Sequence, residues 1–274
     1  MLAPVAELPL KACYRRQMHM HAHHGLALPR DGWVPTPSYL LRRDRVLRHL
    51  RHLEPGLALE VGCGPGALLV DLAAKGYRCV ALETSPRALE LAAKVFADDS
   101  RVEVRSGAGA DWDGRFDLVL AFEVLEHIED DQAALSDWAR WLKPGGRLVL
   151  SVPAHARRWN PTDEWAGHYR RYSSRDLRRV AAVAGLKVEV IESYGFPLTP
   201  LLETLRARTY QRGARASRTD QTAGSGVERR QEARLYPLLA SRPGSAVMRA
   251  LCVAQRAFLQ TEWSNGFLMV SGKP

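Results

Sequence analysis

The chain has 274 residues, 46% of them hydrophobic and 25% charged, which excludes wholesale disorder and fibrous repeats and fits one large domain or a domain with an insertion. Lys and Arg number 39 against 30 Asp and Glu, a net charge of +9, yet residues 59–156 carry 10 basic and 16 acidic side chains between basic flanks. No window approaches the roughly 18 uninterrupted apolar residues of a membrane span, the first residues lack a secretory pattern, and Cys13, Cys63, Cys79 and Cys252 are too scattered for a disulfide framework or a Cys-based zinc site, so a reducing cytoplasm is the expected compartment.

Residues 1–36 show little periodicity and are punctuated by proline; the His-rich run from Met18 to His24 reads as an arm or lid rather than a metal site, since no acidic residues stand beside it. Ser38 is the expected cap of a helix in which Tyr39, Val46, Leu47, Leu50 and Leu53 recur at helical spacing, stopped by Pro55-Gly56. Strands and helices then alternate: a strand at 57–61, a helix at 66–75, a strand at 77–82, and a helix opened by Ser85-Pro86. Further strands are expected at 101–105 and 116–122, a helix at 130–142 stopped by Pro144-Gly145-Gly146, and a strand at 147–152. Ser173-x-x-Asp176 caps another helix, 187–193 is a sixth strand, and the last convincing strand is 267–271. This alternation predicts an α/β, doubly wound (Rossmann-like) and mostly parallel sheet with helices on both faces. The stretch before the last strand is an insertion, and its Arg/Gly/Ser-rich Gln211–Gly226 reads as mobile.

The densest chemical signal is Glu60-Val61-Gly62-Cys63-Gly64-Pro65-Gly66. It is a strand running into a glycine-rich turn and then a helix, where the backbone can approach a ligand and free N–H groups point outward. Gly62, Gly64 and Ala67 also fit a dinucleotide fingerprint, so the turn alone does not choose a cofactor. Glu83, at the end of the second strand, could accept two ribose hydroxyls.

With Phe116-Asp117-Leu118-Val119, Glu123-Val124-Leu125-Glu126-His127 and Leu142-Lys143-Pro144-Gly145-Gly146 in this order, the chain resembles the class I S-adenosylmethionine (SAM)-dependent methyltransferases of the bacterial small-molecule type. The resemblance covers roughly residues 38–193 and the final strand. It implies a seven-stranded sheet whose last strand is antiparallel, with the glycine turn at the methionine part of SAM and Glu83 at its ribose. Glu60, Gly62, Gly64, Gly66, Glu83, Ala108, Trp112 and Glu123 are the implied cofactor-binding residues. Ala108 departs from the family pattern, in which an Asp often follows Gly; Trp112 reads either as a cover for the adenine face or as a core residue. Residues 1–56 are then a helical N-terminal arm, 57–194 the SAM-binding core, 195–262 a helical cover on the acceptor side, and 263–274 the last strand of the core.

His127 and His168 follow strand ends on the ligand side and are the candidate catalytic residues; the reference pKa of histidine near 6.5 suits a general base. Glu123, Glu126 and His127 also resemble the Glu-x-x-Glu-His metal motif of small-RNA and quinone methyltransferases, with His168 as a fourth ligand. A divalent metal is therefore an alternative, and the metal-free base is preferred. The patch from His155 to Tyr172 offers Arg171 and Tyr172 to an anionic or aromatic acceptor, or else is a loop of internal ion pairs. The preferred function is methyl transfer to O or N of a small molecule. RNA or a peptide as acceptor, and a non-catalytic SAM-binding protein, are the alternatives; nucleic acid is not favoured because no RNA-binding module is recognisable.

Overall fold

The structure, a computed structural model, describes residues 18–210 and 229–274. Cys13 and the Gln211–Gly226 segment lie outside the described residues. Seven strands form the main sheet: β3 (Leu57–Val61), β4 (Arg78–Leu82), β5 (Val102–Arg105), β6 (Phe116–Phe122), β7 (Leu142–Pro153), β8 (Lys187–Tyr194) and β9 (Gly266–Gly272). Their order is β5-β4-β3-β6-β7-β9-β8, and β9 runs antiparallel to both its neighbours. The sheet is thus mostly parallel, as expected. Chain order reverses between β3 and β6, which opens a crevice at the carboxyl ends of those two strands.

Each strand feeds both faces through its two-residue period. Leu59 and Val61 of β3 pack with Val119 and Ala121 of β6 on one face, against α4 (Asp131–Trp141) and α6 (Ser174–Val183). Ala58, Leu118 and Leu120 pack on the other face with Leu68, Leu69 and Leu72 of α2 (Ala67–Ala74) and Ala92 of α3 (Pro86–Val95). Glu60 shares the Ala58 face, a carboxylate in an otherwise apolar set, so the same alternation that builds the core also aims this side chain.

Helix α1 (Pro37–His49) is capped by Thr36, whose hydroxyl accepts from Tyr39 N at 3.3 Å, not by Ser38. Pro37 takes the first helical position, where its missing N–H costs nothing, and so moves the cap to the residue before it. The arginines of this helix turn inward. Arg43 makes a two-pronged bond with Asp71 of α2, both contacts 2.6 Å; Arg45, 5% exposed, does the same with Glu192 of β8 at 2.8 and 2.9 Å. Arg42 lies 3.4 Å from Glu123. These pairs clamp α1 to α2 and to the sheet rather than presenting a cationic face.

The His-rich run, expected as an arm or lid, forms a hairpin, β1 (His19–His21) with β2 (Gly25–Ala27). His21 Nδ1 accepts the backbone N–H groups of His23 and His24, closing the turn. Leu26 and Leu28 then pack with Trp33, Ala67, Ala88 and Leu91. Short α5 (Pro161–Ala166), not expected from the sequence, opens with a capping box from Asn160 and Asp163. Between β8 and β9 lie α7 (Leu198–Tyr210), α8 (Arg230–Ala240) and α9 (Arg242–Ala254). Met248 of α9 packs on Leu40 and Leu41 of α1, and Tyr236 of α8 on Ala27 and Val34. Among the described residues no helix is long and apolar enough to cross a membrane.

Candidate active site

A cavity of about 1130 Å³ lies at the carboxyl ends of β3, β4 and β6, and α7, α8 and α9 supply its far wall. That exceeds the roughly 300–1,000 Å³ of a single small-molecule pocket and suits two ligands side by side.

The glycine turn after β3 is tied to the turn after β4. Gly62 N donates to Leu82 O at 2.8 Å, and Gly64 N to Glu83 Oε2 at 2.8 Å. Glu83 Oε1 accepts from Thr84 N and Ser85 N at 2.8 and 2.9 Å. Three amides therefore hold this carboxylate in place at the cavity wall, and a carboxylate has about four acceptor sites, so capacity for ligand hydroxyls remains. Gly62 and Gly64 line the cavity; Gly66 does not. A Cβ on Gly66 would fall 2.3 Å from Phe96 Cε2, so this glycine serves the contact between α2 and the end of α3. Glu60 does line the cavity, with Oε2 lacking a hydrogen bond; burial pushes its carboxyl up to about 8, against the pull of Arg42.

At the end of β6, Glu123 takes a left-handed backbone (φ 56°), a conformation that costs a non-glycine residue about 1–3 kcal/mol. Its Oε1 accepts from Ser151 Oγ at 2.7 Å and Tyr194 OH at 2.9 Å and faces Arg42. These contacts, from three other elements, hold the strained turn.

The next turn gathers Glu126, His127 and His168, one ligand-type atom of each lying within 4.8 Å of the others. The two rings meet edge to face at 4.7 Å, and Asp163 Oδ1 lies 2.8 Å from His168 Nδ1, which orients that ring. Glu126 is completely buried, neither of its side-chain oxygens has a hydrogen bond, and burial followed by the charge of Glu123 drives its carboxyl well above the usual range. Burial, with a smaller contribution from His168, lowers His127 to about 3. Of the four candidate metal ligands the structure brings together three. Glu123 is set apart in the Arg42–Tyr194–Ser151 cluster.

Glu60, Gly62, Gly64, Glu83, Glu123, His127, His168 and Arg171 all face the one cavity. The structure places other candidates differently, and for Trp112 and Arg171 it takes the second of the two readings given above. Trp112 is 2% exposed and packs edge to face on Phe116 and Trp141, because an indole this close to the sheet's apolar face buries more area there than at the rim. Ala108 is exposed on the loop after β5, away from the cavity lining. Tyr172 is 2% exposed, its hydroxyl donating to Asp131 at 2.8 Å, so it braces α4 instead of meeting an acceptor. Arg171 reaches the cavity wall but is held by Asp163 and Glu203. The sequence reading missed Arg42 and Tyr194, which no local motif marks, and Arg206 and Arg229, whose only signal was the basic character of the insertion.

The family model for a methyltransferase domain matches residues 38–190. Curated relatives include the ubiquinone biosynthesis O-methyltransferases of Alkalilimnicola ehrlichii, 36% identical over 41% of this chain and 47% of that one, and of Methylocella silvestris, 29% identical over 65% and 70%. The chain spans about half the length of the first of these relatives. Among solved structures, the [4+2]-cyclase SpnF (TM-score 0.55, 19% identity, 97% and 92% covered) shares the fold. So does phosphoethanolamine N-methyltransferase 2 of Haemonchus contortus (TM-score 0.54, 17%, 85% and 52%). With the family match covering more than half of its residues, on a sheet whose reversal point holds the glycine turn and Glu83, the chain belongs to the methyltransferase-domain family, the class I SAM-dependent methyltransferases.

Proposed function

We propose that this chain moves a methyl group from SAM to a hydroxyl oxygen of a small molecule. The observation that carries the reading is the continuity of one cavity from the Gly62–Gly64 turn and Glu83 to His127 and the wall of α7, α8 and α9. It gives cofactor and acceptor adjoining places and favours an enclosed small molecule over a polymer. The names of the curated relatives support oxygen as the acceptor atom, and the internal pairing of the α1 arginines weighs against RNA. The [4+2]-cyclase shows that the fold does not by itself settle the reaction.

SAM, when bound, supplies an electrophilic methyl on a sulfonium. The chain's part is to align the acceptor oxygen with it, a positioning effect worth several orders of magnitude, and to take the proton that the oxygen sheds. Glu83 and the glycine turn hold the cofactor's polar end, and α7, α8 and α9 cover the acceptor. Burial lowers His127 to about 3, and a base that weak has little driving force for deprotonating a hydroxyl. That observation favours a second route for the proton. Glu126, His127 and His168 fit a divalent cation: a buried carboxylate without a hydrogen bond, two imidazoles, and Asp163 behind one of them. A cation held there would acidify the acceptor hydroxyl.

Titration with SAM, S-adenosylhomocysteine and NADH, followed by transfer from methyl-labelled SAM to a panel of phenols and catechols, tests the reading. SAM and S-adenosylhomocysteine should bind and NADH should not, and Glu83→Ala should lose about 1–3 kcal/mol of affinity. SAM binding without any labelled product across broad extracts would point to a non-catalytic protein; NADH binding without SAM binding would overturn the reading.

A further inference from the structure

The wall that the last third of the chain gives to the cavity carries two arginines, and they differ. Arg206, on α7, is paired with Glu232 and leaves 43% of its side chain in solvent. Arg229 stands at the start of α8. Its Nη1 donates to Val34 O at 3.0 Å, its guanidinium lies 4.9 Å from the centre of the Trp33 ring, and its backbone N–H donates to Gly32 O at 3.0 Å. The residue is thus fixed on the turn that follows β2. Among the described residues no carboxylate lies within ion-pair distance of it. Elsewhere along the same cavity Arg42, Arg43 and Arg171 each have one.

Burial, then the neighbouring charges of Arg42 and Arg206, lowers Arg229 to about 10, with Glu232 pulling the other way. Arg229 is half-buried and faces no described carboxylate at ion-pair distance, and a guanidinium fork matches the two oxygens of a carboxylate or phosphate. The cavity wall nearby is apolar: Leu205, Leu235, Leu238 and Val247 line it while remaining 51–73% exposed. A ligand body laid along these side chains would cover surface that the folded chain leaves in water.

We propose that Arg229 selects the acceptor by binding an oxyanion, carboxylate or phosphate, on a molecule whose apolar body lies along Leu235, Leu238 and Val247. This rests on the methyltransferase reading for the identity of the acceptor, but not for the binding itself. The anion-recognition role expected of Arg171 passes to Arg229, since Arg171 is neutralised internally.

Octanoate, octyl phosphate and octanamide, titrated into the full chain with and without S-adenosylhomocysteine, test the proposal and separate the two anions. At least one of the anions should bind ten-fold or more tightly than octanamide. Arg229→Met should erase that preference, Arg229→Lys should retain part of it, and S-adenosylhomocysteine affinity should be unchanged in both. Equal binding of all three probes to the wild-type chain, or an Arg229→Met variant that keeps the preference, overturns the proposal. A wild-type chain that prefers the anion but does not bind S-adenosylhomocysteine would instead defeat the cofactor reading and leave the anion site standing.

Discussion

Gly64 and Gly66 stand two residues apart in one turn, both left-handed (φ 56° and 78°), and the structure gives them different tasks. At Gly64 an added Cβ would meet no described atom within 4 Å; at Gly66 it would meet Phe96 Cε2 at 2.3 Å and Cζ at 2.8 Å. Both alanine variants incur the left-handed penalty of about 1–2 kcal/mol. Gly66→Ala adds an overpacking cost of about 1–3 kcal/mol, because Phe96 is itself buried, giving a total of roughly 2–5 kcal/mol. At roughly 2–4 °C per kcal/mol for a chain of this size, the melting temperature should fall by about 4–20 °C for Gly66→Ala and about 2–8 °C for Gly64→Ala. Cofactor affinity should move the other way. The Gly64 methyl would stand where the turn faces the cavity, and S-adenosylhomocysteine should bind about tenfold more weakly, or about 1.4 kcal/mol. Folded Gly66→Ala should bind within a few-fold of wild type. Urea unfolding with an unchanged slope gives the first quantity and calorimetry the second. Adding Phe96→Leu should recover part of the Gly66→Ala loss and none of the Gly64→Ala loss. Equal destabilisation by the two variants, or wild-type affinity in Gly64→Ala, would refute the division of labour.

Further outcomes follow from the buried ionisable groups. Burial works to raise the Glu192 carboxyl, but His49, 3.1 Å away, and the two-pronged bond from Arg45 hold it down at about 2. A carboxylate depressed in the folded state stabilises above its unfolded pKa near 4.5 and loses that contribution as pH falls toward 2, here roughly 3 kcal/mol. Glu192→Gln should therefore flatten the dependence of the urea midpoint on pH between 5 and 3, and a parallel curve would count against the clamp. Glu126→Gln replaces a buried carboxyl that makes no hydrogen bond by a neutral isostere and should change stability by less than about 1 kcal/mol. If Glu126, His127 and His168 hold a cation, Mg²⁺, Mn²⁺ or Zn²⁺ titration should release a proton, the variant should lose that binding, and EDTA should abolish turnover. Full turnover in EDTA, with a 10²–10⁴-fold loss in His127→Ala and unchanged SAM affinity, would assign the proton to His127 alone.

The legible part of this protein was local. The short apolar runs at 57–61 and 116–122, proline at the first turn of α3, and the glycine run after β3 are decided by neighbouring residues, and each carries its structure with it. Glu83 was visible because a strand end is a place in the sequence as much as in space. What could not be read were encounters between distant segments. Arg45 and Glu192 are 147 residues apart, and nothing in the local pattern of α1 distinguishes its clamped arginines from solvated ones. His168 reaches Glu126 only because α5 and the Asp163 carboxylate turn it back toward the end of β6. Trp112 and Tyr172 sit in segments that pass the crevice, yet the sheet's apolar face takes the indole and Asp131 takes the phenol. Backbone propensity is settled over a few residues, whereas the direction of a side chain is settled by whichever partner gives it the most burial or the best hydrogen bond, and those partners are assembled by the tertiary fold.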